Sequence, residues 1–422
     1  MIHGLRALHH RDFRLFFAGQ GVSQIGIWLQ LIATSWLIYR LSGSTFLLGL
    51  SAFALQIPFL VLAPVAGVWV DRLDRRRVIA ITNSIALGQS LVMLALVASG
   101  VVAPWHLIAG NLVRGVVAAC EAPARQTLLV TLVRGKADLP NAIALNSIMM
   151  NGARFVGPLV GGMVIATFGE VAGFALNSLT YLAVLAALYA MRLGPSHRAP
   201  RDESWLRQLA AGLRYAYGFL PTRSALLLLS AVGFFAQPYQ SLMPYFAKDV
   251  FHGDSHTLGL LIGAGGFGAV VGMIYLAMRP SIRGLLSLLA WTSAIAGASL
   301  AAFSFCTSLW ISLPLITLTG LGIMLTAAAT NTVLQSIVPD ELRGRVASLY
   351  VVSFLGISPL GSLAAGWIAE RIGPQATLAA GGACGLAAAL LYAIKLPAIR
   401  REIRPVYQDL GIVPRPPVDG DQ

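Results

Sequence analysis

Twelve apolar stretches, most of them twenty residues or longer, follow one another along this chain. They lie at roughly 14–40, 46–70, 78–99, 105–133, 139–168, 171–191, 224–247, 256–278, 284–304, 308–337, 343–369 and 375–396. A run of about 20 apolar residues is long enough to cross the hydrocarbon core of a bilayer as a helix. In that solvent every backbone N–H and C=O must be satisfied within the segment, and at this length a helix does so. Composition agrees. Of 422 residues, 57% are hydrophobic and 11% charged, where a soluble protein carries about 25% charged residues. The expected fold class is an all-α polytopic membrane protein with twelve transmembrane helices. The first stretch is long, polar-speckled and without a small-residue cleavage site, so it reads as a span and not as a removable signal peptide. Cys120, Cys306 and Cys384 all fall inside spans and suggest neither a disulfide framework nor a metal site.

The formal net charge of +13 orients the chain. With the N-terminus placed inside, most of the 30 basic residues lie on that side, among them Arg72, Arg75, Arg76, Arg77, Arg343 and Arg345. Arg40, Lys248 and Arg371 fall on the opposite side, and Arg114, Arg125 and Arg154 lie within spans. This is the positive-inside distribution, which puts both termini in the cytoplasm. The basicity needs no nucleic-acid partner to explain it.

The longest polar interruption, 192–223, divides six spans from six. We read 1–193 as an N-terminal six-helix bundle and 194–222 as a cytoplasmic linker. The linker begins Gly194-Pro-Ser-His-Arg-Ala-Pro200 and continues into an amphipathic helix with Leu206, Leu209, Leu213, Ala216 and Leu220 on one face. Residues 223–396 form a C-terminal six-helix bundle, and 397–422 a disordered cytoplasmic tail. An internal echo relates the halves. At a constant offset of 204, Leu145 matches Leu349, Gly157 matches Gly361, Gly162 matches Gly366 and Gly169 matches Gly373. Parallel six-helix repeats place a substrate site at the midplane between them.

One loop is distinctive: Gly67-Val-Trp-Val-Asp71-Arg72-Leu-Asp74-Arg75-Arg76-Arg77. A glycine near the end of span 2 permits close helix approach, and an acid follows four residues later. An arginine cluster then holds the turn on the cytoplasmic side. This segment resembles the signature loop of the major facilitator superfamily. Arg11-Asp-Phe-Arg-Leu-Phe-Phe-Ala-Gly-Gln20, Pro123-Ala-Arg-Gln126, Asn141-Ala-Ile-Ala-Leu-Asn146 and Ala153-Arg-Phe-Val-Gly-Pro158 are similar to its bacterial drug:proton antiporter branch. That branch includes the enterobactin exporter and macrolide efflux proteins. The resemblance implies two pseudo-symmetric six-helix bundles and a secondary transporter that exports a small amphipathic siderophore or drug, coupled to protons. It implies no cofactor, and a location in the bacterial cytoplasmic (inner) membrane. It also assigns Gly67, Asp71, Arg72, Arg75 and Arg76 to a conformational latch, in which Asp71 meets the positive end of span 11. Asp74 stands where many members have glycine.

Of the acids, Glu121 alone lies well inside a span. Arg125 stands four residues on, on the same helical face, and Pro123 between them is expected to kink the helix. Glu121 is the proton-coupling candidate, with a structural ion pair as the competing role, since burial and Arg125 act on its charge in opposite directions. Arg114 and Arg154 fall near the bilayer centre at about 1.5 Å per residue. Three arginines against one glutamate favour an anionic, zwitterionic or neutral cargo over a cationic one. Gln20, Gln24 and Trp28 recur at helical spacing on span 1. With Asn146, Gln237, Tyr239, Gln240, Asn331 and Gln335, they are candidates to line a cavity.

Other function classes are weakly supported. No phosphate-binding G-x-x-x-x-G-K-[ST] loop occurs, and the histidines are terminal, in loops or near a membrane surface. An enzyme, a metal site and a cofactor are therefore not expected. The expected partners are a small-molecule substrate, protons and the lipid bilayer, around a monomer. An importer of a small anionic or neutral metabolite remains the alternative on the same fold, with a non-transporting signalling protein more remote.

Overall fold

The computed structural model describes residues 3–133, 138–191 and 213–409, with the backbone alone at 3–4, 63–72 and 409. Within them are α1 (Arg11–Ser42), α2 (Thr45–Arg72), α3 (Arg75–Ala98) and α4 (Pro104–Thr131). A continuous stretch, Leu139–Ala190, follows. Then come α7 (Leu220–Val250), α8 (Ser255–Ala277), α9 (Leu285–Ser304), α10 (Leu309–Ile337), α11 (Asp340–Ile372) and α12 (Pro374–Asp409). The 52 residues of Leu139–Ala190 would reach about 78 Å if straight, far more than one crossing needs. Gly169, at φ 78° and ψ 174°, breaks it into α5 and α6. A side chain placed on Gly173 would meet Ile165, so α6 folds back along α5. The twelve expected spans are thus present, two of them joined by a single glycine.

The helices form two bundles. In the first, α1 packs on α5 and α6, and α4 packs on α2 and α3; in the second, α9 packs on α10 and α12, and α8 on α10. Between bundles, α2 meets α11 and α5 meets α8. Both crossings are made by glycine pairs. A methyl group built on Gly49 would lie 2.9 Å from Gly366 Cα, and one on Gly162 would lie 2.9 Å from Gly259 Cα. Backbones approach this closely only where side chains are absent, which is how helices associate without a hydrophobic driving force in lipid.

The positions related by the 204-residue offset have equivalent structural roles. Gly162 and Gly366 are the crossing points of α5 and α11. Gly157 seats Trp28 of α1, and Gly361 seats the Phe234 carbonyl and Pro238 of α7. Gly169 and Gly373 both adopt positive φ, 78° and 90°, at the ends of α5 and α11. Leu145 and Leu349 are both buried.

Several features differ from the sequence reading. The last helix does not stop at 396 but continues to Asp409, because Ile399, Ile403 and Tyr407 are buried in a cluster with Ala216 and Leu285. Of the amphipathic stretch, Leu206, Arg207 and Leu209 lie outside the described residues. Residues 213–218 are helical, with Ala216 buried and Leu213 exposed. Pro123 sits inside α4 with no non-helical residue around it. By contrast, α7 contains π-helical turns at Val232–Ala236 and Phe246–Val250, and α11 one at Val352–Gly356. The first and third of these face each other, Gly233 lying against the Phe354 carbonyl.

Candidate functional site

The end of the molecule opposite the termini is closed by contacts between the bundles. The Glu370 carboxylate at the end of α11 accepts from the Thr45 N–H (2.8 Å), the Phe46 N–H (3.1 Å), the Thr45 hydroxyl (2.9 Å) and the Ser44 hydroxyl (3.2 Å). The first turn of α2 carries unsatisfied N–H groups and a positive partial charge. A carboxylate from the other bundle neutralises both. Close by, the Tyr39 hydroxyl of α1 donates to the Asp249 carboxylate of α7, and the Lys248 ammonium stands 5.5 Å from the Tyr39 ring centroid. The Ser255 hydroxyl donates to the Gly162 carbonyl at 3.3 Å. Tyr245, Phe246, Phe303 and Phe251 pack ring against ring behind this layer. Arg40 pairs with Glu170 at 2.8 Å and holds the α5–α6 turn against α1.

Inside the first bundle lies a charged group. Glu121 and Arg125 face each other at 3.7 Å, and their side chains are 14% and 22% exposed. Asn83 of α3 and Tyr181 of α6 stand near this pair, and the Asn83 amide donates to the Ile79 carbonyl of its own helix at 2.9 Å. Arg114 is buried, and its Nη1 has no hydrogen-bond partner among the described residues. Further along the same bundle, Gln30 accepts from Asn177 and donates to Gln89 at 3.0 Å. Ser90 accepts from Asn177 at 3.3 Å and from Ser178 at 2.9 Å. These partners tie α1, α3 and α6 together. Buried amides that are matched in this way rigidify a bundle.

At the interface between bundles stands Arg154 of α5. Its backbone carbonyl presses on Gly266 of α8, and the Tyr239 hydroxyl of α7 presses on the adjacent Gly265. Arg154 and Tyr239 therefore occupy one level. Tyr239 is wholly buried, and its hydroxyl accepts from Gln240 Nε2 at 3.4 Å. Gln20 and Gln24 are buried on α1, and Trp28 is half-buried against Gly157. Asn146 Oδ1 is buried without a partner among the described residues. Gln237, Asn331 and Gln335 are half-buried, and the Gln237 N–H closes the first π turn by donating to the Val232 carbonyl at 3.0 Å.

Of the loop residues, Gly67, Asp71 and Arg72 lie outside the described side chains. Asp74 caps α3 by accepting from the Arg77 N–H at 3.1 Å, a role glycine could not fill. Arg76 reaches the Tyr189 carbonyl at 3.1 Å within its own bundle, and Arg75 starts α3. The contacts of Tyr39, Asp249 and Glu370 at the end opposite the termini carry no motif in the sequence. The available signal was that Arg40 and Lys248, two of the few basic residues on that side, each lie near an acid of the same layer.

Comparison with known proteins is consistent with this geometry. The family model described as transmembrane secretion effector, of the major facilitator superfamily, matches residues 2–418. The staphyloferrin A transporter of Staphylococcus aureus is 26% identical over 83% of this chain and 87% of its own length. The multidrug efflux pump Tap of Mycobacterium tuberculosis is 27% identical over 95% of this chain and 94% of its own. In fold, the chain resembles the nucleoside transporter NupG (TM-score 0.72, 13% identity, 90% of this chain and 99% of that one). Two six-helix bundles crossing at glycine pairs, and a family match along nearly the whole chain, place this protein in the transmembrane secretion effector family of the major facilitator superfamily.

Proposed function

We propose that this protein exports a small amphipathic molecule, a siderophore or a drug, across the bacterial cytoplasmic membrane by alternating access, as a monomer driven by protons. Its termini face the cytoplasm, which the distribution of arginines supports. The observation that carries the reading is the outer gate. Glu370, Asp249 and the two glycine crossings join the bundles at the end opposite the termini. Cargo held between the bundles would be released outward only when these contacts part. The efflux pump and siderophore transporter among the relatives support this cargo class. In this reading, transport changes no covalent bond in the cargo.

Accumulation assays test the reading. Cells with and without the protein are loaded with a triscatecholate siderophore, a hydroxycarboxylate siderophore, tetracycline or ethidium. Expression is expected to lower accumulation of at least one compound severalfold, and a protonophore to abolish the difference. Higher accumulation on expression would make the protein an importer.

On the cytoplasmic side, we propose that Asp71 latches α2 to the start of α11. Such a contact is worth about 0.3–1 kcal/mol when exposed and up to about 2 kcal/mol when partly buried. That range shifts a two-state population by between about twofold and thirtyfold. Asp71→Asn is expected to favour the inward-open state and slow turnover while leaving cargo affinity within about twofold. Thiol labelling from each side of the membrane reports the population, and an unchanged pattern with normal transport would remove Asp71 from the latch.

A further inference from the structure

Arg154 is surrounded by an unusual distribution of exposure. Along α5, Val156, Val160 and Met163 are exposed, at 42%, 37% and 57%, and they mark the side turned to lipid. At about 100° per residue, that side is centred roughly opposite Arg154. Arg154 instead shares a face with Pro158, Gly161 and Ile165, and all three are buried. Gly161 lies against Leu29 of α1, and the Pro158 carbonyl lies against Gly259 of α8. Yet Arg154 itself is only half-buried. Its accessible surface therefore belongs to space between the bundles and not to the lipid face.

The guanidinium has no ion-pair or hydrogen-bond partner among the described residues. Glu121 is engaged with Arg125, Asp249 with Tyr39, and Glu370 with the start of α2. An arginine inside a membrane span is costly and normally finds a counter-charge or water. Tyr239 adds a second donor at the same level. Its hydroxyl accepts from Gln240, which leaves its own proton free, and no acceptor takes that proton among the described residues. Two donors near one another, one charged, neither with an acceptor among the described residues, match a carboxylate or phenolate oxygen.

We propose that Arg154 and Tyr239 form an anion subsite that holds a carboxylate or catecholate group of the exported molecule at the interface of the two bundles. This deepens the export reading and rests on it for the identity of the cargo, but not for binding itself. The subsite lies where α5 and α8 pass each other, so cargo seated there touches both bundles. Neutralising the guanidinium would also offset the cost of carrying a charge within the span during the switch between states.

The test uses purified full-length protein in detergent and two small probes, 2,3-dihydroxybenzoate and its uncharged amide, 2,3-dihydroxybenzamide. The wild type is expected to bind the anion at least about tenfold more tightly than the amide, a preference of the size charge-assisted hydrogen bonds give. Arg154→Met is expected to lose that preference, and Arg154→Lys to keep part of it. Tyr239→Phe is expected to weaken the anion severalfold and leave the amide unchanged. Size-exclusion profiles and helical content check that the variants fold. No preference in the wild type, or a preference that survives in a folded Arg154→Met, would overturn the subsite. If the anion preference behaves as expected but accumulation assays reveal no export, the subsite stands and the export reading fails.

Discussion

Replacing Glu121 by glutamine is expected to cut gradient-driven efflux by at least about tenfold, while the protein still folds, reaches the membrane and binds cargo. The carboxylate sits inside α4 with Arg125 as its counter-charge at 3.7 Å, a separation longer than a tight ion pair makes. Asn83 and Tyr181 approach from α3 and α6, so any movement of these helices changes what the carboxylate meets. An acid whose partners change between two conformations binds protons differently in each, and that difference couples a proton gradient to a conformational cycle. Glutamine preserves the shape but cannot titrate. The measurement compares efflux driven by an imposed pH gradient with cargo exchange at equal pH. Loss of the first with retention of the second places Glu121 in coupling. Full gradient-driven flux in Glu121→Gln would leave it a structural partner of Arg125.

A leucine at Gly366 is expected to reduce transport to below about a tenth by preventing the outer gate from closing. The first carbon of any side chain there would lie 2.9 Å from Gly49 Cα and 2.8 Å from the Thr45 carbonyl. Both are backbone atoms of a helix and cannot turn aside, so α2 and α11 must separate. Separation also removes the Glu370 carboxylate from the Thr45 and Phe46 N–H groups. Each bundle keeps its own internal contacts, so the variant is expected to fold with its outer end open. A cysteine at Gln240, with Cys120, Cys306 and Cys384 replaced, then becomes more reactive toward a membrane-impermeant thiol reagent added from outside. Unchanged reactivity together with normal transport would show that the crossing does not gate.

The spans were legible because bilayer thickness imposes a length and an apolar content that hydropathy records directly. Even the break at Gly169 fell between the stretches read as 139–168 and 171–191, although the structure joins them without a loop. The repeated glycines were legible as a repeat, and their roles became clear only when each was seen against its partner helix. Glu121 and the arginines stood out because charge within an apolar run is rare. The outer gate had no such signal. Its bonds join residues far apart in sequence, Tyr39 to Asp249 and Thr45 to Glu370, and its acids lie at span ends where solvated carboxylates are common. The buried amides of Gln30, Gln89 and Asn177 were equally hidden, since a polar residue within a span reveals nothing about which helices it joins. The π turns at Val232–Ala236 of α7 and Val352–Gly356 of α11 lie where the two helices press together, a tertiary feature. The reach of α12 to Asp409 depends on a cluster shared with residues near 216 and 285, which span hydropathy does not register.

Locking the outer gate tests alternating access most directly. Ser44→Cys and Glu370→Cys, in a background with Cys120, Cys306 and Cys384 replaced, place thiols on the two sides of a contact that spans 3.2 Å between Ser44 Oγ and a Glu370 carboxylate oxygen. A short, reducible bis-methanethiosulfonate bridge between them is expected to stop efflux of the compound identified by the accumulation assay, and reduction of the bridge to restore it. Each single-cysteine protein should be unaffected by the reagent. Efflux that continues with the bridge in place would mean that cargo leaves without the bundles parting at this end, which contradicts alternating access through this gate.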